Sequence, residues 1–171
     1  AGKGVLRFNY TLQKPDYYNE RFTNDLTKGN SVNSITADEQ GGIWLGNGQS
    51  GLVLLNTAND SITLFTKTDG LSDDKVSSLS YYKGYVWIIC KNGIFKIDCR
   101  TKKITSVCNI RDVYYKPYLA NQLSFDATST SFYTGAGSSV IRFEPDYKKH
   151  KQVLPKLLLV YAKSGNDSII W

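Results

Sequence analysis

The sequence predicts an all-β fold built from repeated four-stranded antiparallel sheets, and three observations support this prediction. A six-residue pattern with a small first residue, apolar positions and a polar last residue recurs at intervals of 42 to 47 residues. Strand-forming Tyr, Val, Ile and Thr are frequent, and Gly recurs where turns are expected. Repeats of about 40–50 residues are typical of stacked sheet units. The copies of the pattern occupy residues 4–9, 51–56, 93–98 and 139–144.

Each copy is flanked by further strand patterns, so the repeating unit has four strands. A polar–apolar strand opens each unit, at residues 31–35, 75–79 and 121–125. A strand with a central aromatic residue follows, at residues 43–46, 86–89 and 131–135. The repeated pattern is the third strand. The fourth strand is predicted at residues 20–23, 62–66 and 104–107.

Residues 52–55 are apolar at every position, as in a strand that is buried on both faces. A repeated sheet that is covered on both faces by its neighbours is the blade of a β-propeller. The sequence therefore predicts a partial β-propeller of about three four-stranded antiparallel blades. We expect the aromatic and glycine residues of the repeat to fill the space between blades and to shape turns: Trp44, Trp87, Phe132, Gly51 and Gly93.

Charge and cysteine content exclude several classes of protein. The net charge of +6 is not concentrated except near residues 148–156, so we expect no nucleic-acid partner. Three Cys residues cannot complete a disulfide framework. With no CxxC motif and His150 as the single His, we expect no metal site. No signal peptide or membrane span is visible, since the longest apolar run is residues 157–162.

The units resemble the two-component regulator propeller repeat. The resemblance is best over residues 30–38, 41–46 and 51–56, which carry the strand ending in Asp, the Gly turn, the Trp strand and the Gly strand ending in Asn. The linker at residues 69–72 also looks like the family. The last unit departs from the pattern, because Phe132 stands where Trp is usual and Ser139 stands where Gly is usual.

A second resemblance lies in the tail, which is similar to the opening strand of the immunoglobulin-like (Y_Y_Y-type) β-sandwich domain that follows such propellers. The predicted organisation is therefore propeller blades over residues 1–153 and the start of this domain over residues 154–171. The blade boundaries are a half blade at 1–28, whole blades at 29–72 and 73–115, and an incomplete blade at 116–153. We expect the chain to be part of a longer protein.

These resemblances imply a sensor in a bacterial two-component regulator or hybrid histidine kinase. In that family the propeller lies in the periplasm and responds to oligosaccharides, without a cofactor. The kinase and the membrane span lie in other segments. The resemblance therefore implies that this chain has no enzymatic activity. It also implies that the parent protein is attached to the membrane only through a C-terminal segment that this chain lacks.

Ligands of propellers commonly bind at the loops between blades and between the middle strands of a blade. These loops are predicted at residues 47–50, 67–74, 91–92 and 109–121. The longest combines tyrosines with charged residues, and Tyr suits sugar recognition at low entropy cost. The alternative is that its tyrosines cover a blade edge and its charges are solvated. The candidate ligand-binding residues are Asn47, Asp73, Arg111, Tyr114, Tyr115 and Tyr118.

Rival functions leave weaker signals. Residues 46–51 match GxGxxG, but a dinucleotide loop requires a following helix, and strands are predicted here. No catalytic triad is visible, and adjacent Asp73 and Asp74 do not establish an acid–base pair. A propeller enzyme acting on polysaccharide and a protein-interaction propeller stay open as alternatives. Because a partial ring exposes sheet edges, we also expect a homodimer, which a concentration-independent monomer in light scattering would contradict.

Overall fold

Antiparallel sheets dominate the computed structural model, which describes residues 6–17, 31–90, 93–109, 119–136, 139–146, 162–164 and 167–169. The only helical element in these residues is a short 3₁₀ turn, η1 (Lys67–Asp69). The fold class predicted from the sequence, an all-β partial propeller, is confirmed.

The sheets follow one another along the chain, and in each of them consecutive strands pair antiparallel. Two sheets have four strands, a third has three described strands, and a two-stranded hairpin lies at either end. The N-terminal hairpin is β1 (Leu6–Asn9) and β2 (Lys14–Tyr17). Blade A is β3 (Val32–Ala37), β4 (Gly42–Asn47), β5 (Gly51–Asn56) and β6 (Ser61–Phe65). Blade B is β7 (Val76–Tyr82), β8 (Tyr85–Cys90), β9 (Gly93–Asp98) and β10 (Ile104–Asn109). Blade C is β11 (Leu119–Asp126), β12 (Ser131–Ala136) and β13 (Ser139–Phe143). The C-terminal hairpin is β14 (Ala162–Ser164) and β15 (Asp167–Ile169).

The N-terminal hairpin contains a strand that the sequence did not predict. Its second strand is Lys14–Tyr17, which pairs residue by residue with β1, whereas the sequence predicted residues 20–23. The reason is a short turn at residues 10–13, where Gln13 adopts a φ of 49° and returns the chain at once. Pro15 disfavours a strand in sequence-based prediction because Pro cannot donate a hydrogen bond to a neighbouring strand. It is tolerated where a strand has a free edge. Residues 20–23 lie outside the described residues, as do residues 154–161 of the predicted sandwich strand.

The apolar core lies between successive blades. Trp44 of β4 is fully buried and stacks on Phe65 with ring centroids 5.8 Å apart, in a cluster that continues through Val76, Leu79 and Ile88 of blade B. The next interface repeats this arrangement around Trp87. Its ring lies 4.9 Å from that of the buried Phe132 in blade C. Aromatic residues of the second strand thus fill the space between blades, as expected from the repeat.

Serine hydroxyls connect the first strands of neighbouring blades. Ser34 Oγ accepts a hydrogen bond from the Leu79 backbone N–H at 3.0 Å, and Ser78 Oγ accepts one from the Leu123 N–H at 2.9 Å. Each bond spans 45 residues of sequence. The first strand of a blade has a free edge whose N–H groups need partners, so these hydroxyls satisfy donors that the sheets leave unpaired.

We expect Ser78→Ala to lower the free energy of unfolding by about 1–2 kcal/mol, because the buried Leu123 N–H loses its acceptor. Urea unfolding of the full chain measures the change. Ser80→Ala is the matched control, since Ser80 lies on the same strand and has no hydrogen-bonding side-chain partner in the described residues. Equal losses in the two variants would contradict a connecting role for Ser78.

Candidate functional site

Two of the loops predicted to carry a ligand lie together at one end of blades A and B. The β4–β5 turn at residues 48–50 is joined to the β6–β7 loop at residues 66–75, because Gly51 N donates to Asp74 O at 2.7 Å. The same turn is held to the start of β3, since Gly48 N donates to Ser31 O at 3.0 Å. We call this end of the blades the loop end.

A recess of about 430 Å³ opens at the loop end. This volume falls in the range of about 300–1,000 Å³ that is usual for ligand sites. Its walls come from the beginnings of the first strands of both blades and from the β4–β5 turn. Apart from a glycine, every lining residue has a polar side chain: Ser31, Asn33, Gly48, Gln49, Lys75 and Ser77.

Two of these side chains are hydrogen-bonded within the protein, and three have no such partner in the described residues. Ser31 Oγ donates to Asn33 Oδ1 at 3.0 Å, and Asn33 Nδ2 donates to Val76 O in blade B at 3.0 Å. By contrast, the side chains of Gln49, Lys75 and Ser77 make no hydrogen bond or ion pair within the described part of the chain. Ser77 is only 7% exposed, yet it lines the recess.

Asn47 and Asp73, two of the predicted ligand-binding residues, lie directly behind this lining. Asn47 is 1% exposed, and its Oδ1 accepts from Gln49 N at 2.8 Å and Ser50 N at 3.0 Å. Asp73 Oδ1 accepts from Lys75 N at 2.9 Å. Each therefore orients a residue of the recess, and direct contact of either with a ligand stays a prediction. The Nδ2 of Asn47 is buried without a partner in the described residues.

The other four candidates, Arg111, Tyr114, Tyr115 and Tyr118, lie outside the described residues. Sequence reasoning missed the lining itself, namely Ser31, Asn33, Gln49, Lys75 and Ser77. The sequence offers a weak signal, since polar residues stand two apart at 31 and 33 and again at 75 and 77. Residues two apart share a face of a regular strand, but a β-bulge at the start of each first strand interrupts this alternation.

A second recess, of about 260 Å³, lies at the opposite end between blades A and B. Two carboxylates that line this recess already accept hydrogen bonds from other groups of the protein. Asp38 accepts from Gln40 N, Gly42 N and the indole Nε1 of Trp44. Asp98 accepts from the backbone N–H groups of Thr101 and Arg100, which lower the pKa of its carboxyl group. Because these carboxylates are engaged by the N–H groups of the turns, they are poorly suited to acid–base chemistry.

Two cysteine thiols of the described chain are also made unreactive by burial. Cys90 and Cys99 are free and buried, and burial raises the pKa of the Cys90 thiol to about 12 and that of the Cys99 thiol to about 11. Thiolate is therefore scarce at neutral pH, and both groups are poor nucleophiles. No cluster of His, Cys, Asp and Glu able to hold a metal occurs in the described residues. Residues 46–51, which match GxGxxG, form the β4–β5 hairpin and are followed by no helix.

Comparison with known proteins points to one family. Residues 28–49 match the profile of the two component regulator propeller, and no curated protein sequence matches the chain. None of the helices in the described residues could cross a lipid bilayer.

Solved structures share the fold at low identity. The extracellular domain of BT4673 from B. thetaiotaomicron, named as a hybrid two component system, is 19% identical with a TM-score of 0.63, over 87% of this chain and 19% of that one. That of BT3049 from the same organism is 17% identical with a TM-score of 0.64, over 85% and 20%. PorZ, a surface component of the type-IX secretion system of Porphyromonas gingivalis, is 11% identical with a TM-score of 0.54, over 80% and 20%.

The chain spans about a fifth of the length of each of these structures. At these identities the likeness concerns the fold, which in the two B. thetaiotaomicron proteins is that of an extracellular domain. The profile match falls on the start of blade A, where the Asp, Gly and Trp residues of the repeat stand. The chain is thus a partial β-propeller in which residues 28–49 match the profile of the two component regulator propeller.

Proposed function

We propose that this chain belongs to the periplasmic sensing region of a bacterial two-component regulator and binds an oligosaccharide at the loop end. The observation that carries the proposal is the recess at this end, where Gln49, Lys75 and Ser77 have hydrogen-bonding groups without protein partners in the described chain. An oligosaccharide offers hydroxyl groups that such donors and acceptors can bind. The profile match at residues 28–49 supplies the signalling context.

The lining is suited to holding a ligand rather than to transforming it. A hydroxyl, an amide and an ammonium group bind sugar oxygens, whereas glycoside hydrolysis requires a pair of carboxyl groups flanking the bond. No carboxyl group of the described residues lines the recess. We therefore assign the chain a binding role, in which the segment containing Arg111, Tyr114, Tyr115 and Tyr118 adds stacking surfaces for sugar rings.

Calorimetric titration of the native protein with a panel of plant and host oligosaccharides tests the proposal. We expect saturable binding of one glycan class without product formation. Gln49→Ala should weaken that binding by roughly fivefold to tenfold, the loss expected for one or two neutral hydrogen bonds. Gln40→Ala is the matched control, because Gln40 lies on a turn of the same blade but lines the recess at the opposite end.

Three outcomes would overturn the proposal. Absence of binding to every glycan would favour the protein-interaction alternative. Product formation would favour a polysaccharide-degrading enzyme. Binding that Gln40→Ala and Gln49→Ala weaken equally would place the ligand away from the loop end.

A further inference from the structure

We infer that the loop-end recess selects acidic oligosaccharides, which bear a carboxylate or a sulfate group; this inference rests on the proposed function. Among the described residues, Lys75 alone lines the recess with a charged side chain. A recess with one cation and no anion in its lining favours a ligand of opposite charge, because an anionic group gains a charge-assisted hydrogen bond there.

The carboxylates nearest in sequence to Lys75 accept hydrogen bonds from backbone N–H groups of their own loop. Asp73 Oδ1 accepts from Lys75 N, and Asp74 Oδ1 accepts from Lys67 N at 2.8 Å, so both fold their own loop. Neither lines the recess, and the Lys75 ammonium group has no ion-pair partner in the described residues. Its charge is therefore available to a ligand.

Ser77 and Gln49 complete the anion site. Lys75 directly precedes β7 and Ser77 lies at the β-bulge near its start, and both residues line the recess. Ser77 is a largely buried residue, and Gln49 lines the recess from the β4–β5 turn. Ammonium, hydroxyl and amide groups can all donate to the oxygens of one carboxylate or sulfate.

The opposite recess has a different charge pattern. Its lining combines the carboxylates of Asp38, Glu39 and Asp98 with the cations of Lys83 and Arg100. Such a mixed lining has no preference for an anion. An acidic glycan is thus expected to distinguish between the two ends of the same pair of blades.

The test titrates the native protein with paired probes that differ only in charge. A galacturonic acid trimer is compared with its methyl ester, and sulfated host disaccharides are compared with their unsulfated forms, so the two arms separate carboxylate from sulfate recognition. We expect the acidic member of one pair to bind and added salt to weaken its binding, because salt screens the charge. Lys75→Met should weaken this binding by roughly tenfold to a hundredfold.

Lys67→Met is the matched control, because it removes the same charge from the same loop but does not alter the lining of the recess. It should change the affinity less than twofold. Binding of neutral members that Lys75→Met leaves unchanged would overturn the acidic specificity while the sensor function stood. Absence of binding to all sugars would overturn both. Inorganic sulfate that binds as tightly as a sulfated sugar would reveal a simple anion site and overturn the inference.

Discussion

Asp38→Ala is expected to lower the free energy of unfolding by about 3–5 kcal/mol, one of the two largest effects in the chain. Asp38 Oδ2 accepts from Trp44 Nε1 at 2.8 Å, while Oδ1 accepts from the backbone N–H groups of Gln40 and Gly42. The substitution leaves the indole N–H of a fully buried Trp44 without an acceptor and loosens the turn as well. The midpoint and slope of urea unfolding measure the loss.

Asp126→Ala supplies the matched comparison. Asp126 stands six residues before Phe132, as Asp38 stands six before Trp44, and its carboxylate accepts from Thr128 N and Ser129 Oγ. Phe132 has no N–H group, so only the turn is affected and a loss of about 1 kcal/mol is expected. Equal losses at the two positions would contradict a stabilising Asp38–Trp44 hydrogen bond.

The bond between Asp38 and Trp44 illustrates how far sequence reasoning reaches. The hydrogen bonds from the turn backbone follow from the sequence, because Asp at a strand end commonly accepts them. The indole contact depends on how the turn folds back over the sheet, which no local pattern records. Blade B shows the same limit: Tyr81 stands six residues before Trp87, and the Trp87 Nε1 is buried without a partner in the described residues.

Strands could be predicted wherever their signal was local. Apolar runs, the aromatic strand and the Gly turns recur within each unit, so the strands of blades A and B were found nearly at their observed bounds. Strand β2 was missed because Pro15 and Asp16 disfavour strands, and its pairing comes from the tight turn before it.

The loop-end recess was harder to foresee, since its walls are assembled from two blades. Asn33 and Ser77 are 44 residues apart in sequence and meet only because neighbouring first strands lie side by side. Each residue alone resembles an ordinary polar position on a solvated strand. The tyrosine-rich segment attracted attention by composition, whereas the recess depends on the register between blades.

Gly51→Ala is expected to lower the free energy of unfolding by more than about 3 kcal/mol, because backbone strain and a steric clash combine at this position. Gly51 adopts a φ of +96°, which side-chain-bearing residues rarely adopt, and an added Cβ would lie 2.2 Å from the carbonyl oxygen of Phe65. That oxygen belongs to the backbone of the neighbouring strand, so relief requires β5 and β6 to separate. Thermal or urea unfolding of the full chain measures the change.

Gly84→Ala separates the two penalties. Gly84 also has a positive φ, +79°, but no atom lies within 4 Å of an added Cβ, so backbone strain alone applies, at a cost of roughly 1–2 kcal/mol. Equal losses at both positions would mean that the backbone conformation, rather than the close approach of β6, requires glycine at residue 51. A much larger loss at Gly51 would explain why this repeat position carries glycine. The Gly51 N–H also binds Asp74 O, so the same close packing holds the loop that presents Lys75 to the recess.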